Sequence, residues 1–191
     1  MIKFFEKLSF INCQLSINYR NFAAVMTNCK EIIDNAGTMT AQEFIVALTD
    51  CYLECIGGQL TQENMGRLTT DQHTLLAYRW MMEEVMEGGF IQLIQNGYAG
   101  YVLEGPFAQV LKKEWGMKEL AKLIYDVRHE YHVSRERFER DMTDEEFMAL
   151  YEELEKLNEM GDDFLDEYQE KTTPAVREFV VQNKEKFILN N

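Results

Sequence analysis

Glu83-Glu84-Val85-Met86-Glu87-Gly88-Gly89-Phe90-Ile91-Gln92-Leu93-Ile94-Gln95-Asn96-Gly97 reads as the end of one helix, a corner, and the start of another. Two adjacent glycines permit positive φ and let backbones approach closely, so they predict a tight turn between packed helices. Phe90 places a large apolar anchor directly after that turn. Gln92 and Asn96 are four residues apart and share one face of the resumed helix. Nothing in the stretch is an obvious nucleophile, metal ligand or phosphate cradle. Its chemistry is the chemistry of folding.

The same helical grammar extends outward. Upstream, Thr69-Thr70-Asp71-Gln72 opens a helix carrying Leu75, Leu76, Tyr78, Met82 and Val85 inward. Before it, Thr40-Ala41-Gln42-Glu43 is a capping box, and the helix it opens buries Phe44, Ile45, Leu48, Cys51, Tyr52 and Cys55 until Gly57-Gly58. An earlier helical set comprises Phe22, Val25, Met26, Cys29, Ile32 and Ile33. Met1 to Ser16, with Phe4, Phe5, Leu8, Phe10, Ile11 and Leu15, fits either a helix or a short edge strand.

Downstream, Asn96-Gly97 is a helix stop and Gly105-Pro106 a helix start. A long helix follows from Met117 to about Arg140. Thr143-Asp144-Glu145-Glu146 is a further capping box, with Phe147, Leu150, Tyr151, Leu154 and Leu157 inward and a kink expected at Gly161. Thr173-Pro174 is expected to start the last helix. No stretch alternates long enough for a strand. The expected fold is all-α, residues 1–191 forming one compact domain of about eight or nine helices.

With 191 residues, the chain can bury a core without a metal or disulfide staple. Its four cysteines, Cys13, Cys29, Cys51 and Cys55, show no C-x-x-C spacing, and Cys51 and Cys55 are one helical turn apart, a poor geometry for a disulfide. All four read as small apolar residues in a reducing compartment. The amino-terminal residues lack a signal-peptide core and no apolar run is long enough for a membrane span, so a soluble, cytoplasmic protein is expected.

Charge is distributed unevenly. Nineteen basic and thirty-three acidic residues give a net charge of −14, repelling nucleic acid and anionic membranes. Between Asp141 and Glu170 lie thirteen acids and one base, Lys156, so most of the net charge sits in one segment. Asp141, Glu145, Glu152, Glu155, Glu159, Asp162, Asp166 and Glu170 recur at three, four or seven residues and form one stripe. As a continuous helix the segment would rise about 45 Å, near 3.5 Å per carboxylate, against ~3.4 Å per phosphate along a DNA strand. A bland alternative is the solvated outer face of a core helix. Like charges one turn apart repel by a few tenths of a kcal/mol, however, and Lys156 is the one base within the segment to relieve them.

Catalysis finds little support. There is no G-x-S-x-G elbow, no Walker glycine loop and no cysteine beside a base. Asp126, His129 and His132, three residues apart, could lie along one side of a helix, but the Glu-x-x-His pairs of a carboxylate-bridged metal site are missing. No cofactor is implied.

Glu84, Gly88, Gly89, Phe90, Gln92 and Asn96 together resemble a motif of the bacterial DNA-mimic proteins, which are acidic, helical and cytoplasmic. The resemblance runs roughly from Thr70 to Tyr131. This chain carries Glu87 where many relatives carry asparagine. The resemblance implies a helical fold, a basic helix-turn-helix transcriptional regulator as partner, and a homodimer as the working form. The leading expectation is therefore an acidic binding protein whose carboxylates replace DNA phosphates on that partner. The main alternative is an immunity-type inhibitor of a basic toxin or nuclease. A third is a helical metal-dependent enzyme centred on Asp126, His129 and His132.

Overall fold

The computed structural model describes residues 22–189. Among them are nine α-helices and no strand, as the helical periodicity predicts. The helices are α1 (Phe22–Asp34), α2 (Ala41–Ile56), α3 (Thr70–Gln95), α4 (Ala99–Val102), α5 (Phe107–Lys113), α6 (Lys118–Phe138), α7 (Asp144–Glu153), α8 (Glu155–Asp163) and α9 (Gln169–Gln182), with a π-helical turn at Phe164–Tyr168. The ambiguous segment Met1 to Ser16 and Cys13 lie outside the described residues. No described helix is long and apolar enough to cross a membrane. The chain groups into two compact units, one made of the residues up to Arg79 with those from Lys171 onward, the other of Trp80–Glu170.

In the first unit, α1 packs on α2. Reciprocal capping starts α2: the Thr40 amide donates to Glu43 Oε2 at 2.8 Å and the Glu43 amide to Thr40 Oγ1 at 3.2 Å. Gly57, at φ 103°, ends it in the left-handed region. Thr69 and Gln72 cap α3 in the same reciprocal way. Phe44, Ile45, Leu48, Tyr52, Leu75, Leu76 and Tyr78 are fully enclosed. Their polar ends are satisfied: Tyr52 Oη donates to the Phe187 carbonyl at 2.8 Å, and Tyr78 pairs with Thr173 Oγ1 at 2.8 Å.

Two expectations need correction here. Thr173-Pro174 does not begin the last helix. It begins at Gln169, and Pro174 lies inside it. Burial of Thr173 and its bond to Tyr78 hold this turn helical despite proline's missing donor.

Nor are the cysteines all free. Cys29 of α1 and Cys51 of α2 form a disulfide, with Cα atoms 5.9 Å apart, because helix packing brings together inner faces that are 22 residues apart in sequence. Cys55 keeps a buried thiol that burial pushes up to about 11, so it is unreactive near neutrality. Closing a loop of that length stabilises by about 3 kcal/mol. Reductant should therefore shift the urea midpoint of wild type downward by that equivalent, and should leave unchanged the midpoint of a Cys29→Ala, Cys51→Ala variant, which has no link to lose. Superimposable wild-type curves with and without reductant would show that the link carries no stability.

Candidate functional site

The candidate site belongs to the second unit and is built in two tiers, a glycine corner and the acidic segment seated on it. Helix α3 breaks where the sequence predicts. Gly88 has φ −165° and ψ 28°, and Gly89 has φ 69° and ψ −171°, a conformation close to glycine-only. The motif side chains lock the break. Asn96 Nδ2 donates to Glu84 Oε2 at 2.7 Å and Gln92 Nε2 donates to the same oxygen at 3.3 Å, tying the helix before the corner to the one after it. Gln92 also reaches the exposed Glu87 at 3.1 Å.

Glu84 is a buried carboxyl at 9% exposure. Burial raises its pKa above the usual carboxylate range; the Asn96 and Gln92 hydrogen bonds partly oppose this, and the charges of Glu87 and Glu83 add to it. The folded protein therefore holds this proton more tightly than the unfolded chain does. Its stabilising contribution is fully present below the unfolded value and is lost as pH rises through the folded one. Glu84→Gln keeps an oxygen for Asn96 but cannot titrate. Its unfolding free energy should fall less than wild type's as pH rises past 4.5. Parallel pH profiles for the two proteins would exclude this role.

The acidic segment rests on the same corner. Tyr151 Oη of α7 donates to the Gly88 carbonyl at 2.8 Å. Gly161 of α8 lies so close that a β-carbon there would stand 3.2 Å from Gly89 Cα. Phe90 meets Phe164 edge-on at 6.5 Å, both fully buried. Gln169 Nε2 donates to Met86 Sδ at 3.0 Å. The motif positions the acidic helices by touching them on both sides of the double glycine. Tyr151 and Gly161 carry no local sequence signal for this, being far from the corner along the chain.

The segment is not one rod. It breaks at Leu154 (φ −114°, ψ 50°) between α7 and α8, while Gly161, the expected kink, stays helical and buried. Gly161 is small because Gly89 needs the space, not because the helix bends there. The straight-helix spacing of about 3.5 Å per carboxylate consequently does not describe the whole segment.

The eight stripe acids Asp141, Glu145, Glu152, Glu155, Glu159, Asp162, Asp166 and Glu170 are all exposed. Among the described residues none of them makes an ion pair. Their neighbours do: Arg137 bridges to Glu153, Arg140 to Glu146 at 3.5 Å, and Lys156 to Glu130 at 3.2 Å. Arg137 on α6 and Arg140 just after it thus relieve two acids of α7 that lie outside the stripe, a compensation that spacing along a single helix cannot reveal. Glu146 is spent further on the cap, where the Thr143 amide donates to it at 2.8 Å and holds its pKa low. What remains without an ion pair among the described residues is a set of exposed carboxylates running from Asp141, through α7, α8 and the π-helical turn, to Glu170 in α9.

The residues of the metal reading are placed otherwise. His132 Nε2 lies 2.6 Å from Glu104, which also accepts from Arg128 at 3.3 Å. Asp126 and His129 are exposed, and among the described residues no three His, Cys, Asp or Glu side chains are grouped as a metal site would require.

Comparison with known proteins bears on the same region. The chain is similar to the DNA mimic protein DMP19 of Neisseria meningitidis serogroup B (strain ATCC BAA-335 / MC58), at 38% identity over 80 residues, covering 42% of this chain. The matched part spans about half the length of that relative, 47%. The family model of DMP19-like proteins matches residues 66–183, a stretch that includes both the glycine corner and the acidic segment. On that match the chain belongs to the DMP19-like protein family.

Proposed function

We propose that the protein is a DNA mimic, a binding protein without catalytic chemistry of its own. Its acidic segment occupies the basic DNA-binding surface of a regulatory protein. The observation that carries this reading is the contrast within one segment: Glu146 and Glu153 are paired with arginine, while eight exposed acids make no ion pair among the described residues. Unrelieved like charges cost stability, and a cationic partner turns that cost into binding energy. Membership of a family that includes a DNA mimic supports the reading.

The partner class the resemblance points to is a helix-turn-helix transcriptional regulator, met in the cytoplasm by a homodimer. In that compartment the Cys29–Cys51 link would persist only under oxidising conditions. The test is retention of host proteins on the immobilised chain followed by elution with a salt gradient. A basic DNA-binding protein should be held at low salt and released as salt rises. Retention of a nuclease through its catalytic surface would favour the immunity-type alternative, and no salt-sensitive retention would oppose both.

A further inference from the structure

Among the described residues four large apolar side chains stand more than a third exposed: Met86 at 42%, Tyr125 at 38%, Val133 at 71% and Met148 at 62%. Two of them already have polar company. Met86 Sδ accepts from Gln169, and the Lys112 ammonium lies 6.0 Å from the Tyr125 ring centroid. Val133 sits in mixed company: one turn away are Glu130 and Arg137, whose charges are taken up by Lys156 and Glu153, together with His129 and one acid without an ion pair among the described residues, Glu136. Met148 differs from all three. On α7 its neighbours one turn away include Asp144, Glu145 and Glu152, all exposed and, among the described residues, without an ion pair. A flexible thioether therefore stands in the middle of uncompensated carboxylates.

We propose that Met148 is an apolar anchor within the acidic face, and that this face receives a cationic helix carrying an apolar side chain among its lysines and arginines. This rests on the DNA-mimic reading and adds a feature DNA lacks, since no phosphate backbone presents a thioether. A second copy of the chain is a poor occupant, because the carboxylates around Met148 would meet their own kind. An anionic membrane is repelled in the same way. Charge complementarity leaves a basic partner. In such a complex the carboxylates set the approach and its salt dependence, while a desolvated methionine adds affinity that salt does not screen and adapts to the shape it meets.

The experiment uses the full chain and two synthetic amphipathic helical peptides. Both carry lysine or arginine at i, i+4 and i+7, and they differ only at i+3 on the same face, which holds leucine in one and serine in the other. Wild type should prefer the leucine peptide by about tenfold in a fluorescence-anisotropy titration. Met148→Gln should abolish that preference and leave the salt dependence of binding unchanged, whereas Val133→Gln should keep both. Equal affinity of wild type for the two peptides would overturn the proposal. So would a preference that survives Met148→Gln or is lost equally in Val133→Gln. A concentration-dependent dimer of wild type that disappears in Met148→Gln would overturn it in favour of self-association. The double variant Glu145→Gln, Glu152→Gln separates the two levels: it should flatten the salt dependence, and if it does not, the DNA-mimic reading itself fails.

Discussion

Gly89→Val is expected to destabilise the protein by at least about 2 kcal/mol, because φ 69° with ψ −171° is a backbone region that a β-branched residue scarcely enters. No atom stands where its β-carbon would go, so the cost lies in the backbone and not in a clash. Gly88 is the opposite case. Its φ of −165° is extended backbone open to any residue, but a β-carbon would stand 2.2 Å from Gln92 Oε1 and 2.9 Å from Tyr151 Oη. Both side-chain ends can swing away only by releasing Glu84 and the Gly88 carbonyl, so Gly88→Ala should cost about 1–3 kcal/mol in hydrogen bonds. Glu87→Ala removes one exposed acceptor and should be nearly silent. Urea unfolding of the three variants measures the ranking. A Gly89→Val protein as stable as wild type would mean that the corner imposes no backbone constraint.

The second large effect concerns binding. Neutralising Glu152, Glu155, Glu159 and Asp162 to glutamine or asparagine should weaken capture of the partner by at least about tenfold at low salt. The slope of log affinity against log salt should also fall, by about one for each carboxylate–cation pair removed. None of the four is buried or ion-paired among the described residues, so the fold should survive and lose some like-charge repulsion. The matched control is Glu31, Glu43, Glu54 and Glu63, all exposed and in the first unit. It removes the same charge and should spare binding, although Glu43 closes the cap of α2 and its loss costs some helix stability. Equal losses from both sets would reduce the effect to net charge. No loss from either would make the stripe an ordinary solvated face.

Much of this was legible because it is local. Three reciprocal caps, at Thr40, Thr69 and Thr143, and the glycine corner are written within a few consecutive residues, and each stands where the sequence places it. The exposure of the eight acids is local too, since each is a charged residue set among apolar ones. Long-range pairing was not legible. Cys29 meets Cys51, Arg137 meets Glu153 and Gly161 meets Gly89 only because helices pack, and no residue reports its distant partner. The two misplaced helix boundaries share that cause. Gly161 and Pro174 are breakers by local propensity, yet one fills a space too small for a side chain and the other follows a threonine anchored in the core. The actual break, at Leu154, has no breaker residue at all.

The central claim is that the acidic face occupies the place where DNA would lie on the partner. It is tested most directly by mixing the retained partner with labelled duplex DNA it binds and adding this protein. Wild type should displace the DNA to completion, with no ternary species in fluorescence anisotropy or on a native gel. The Glu152, Glu155, Glu159 and Asp162 variant should need at least about ten times more protein to do so. A stable complex holding partner, DNA and this protein together would contradict the claim, since two occupants of one basic surface exclude each other.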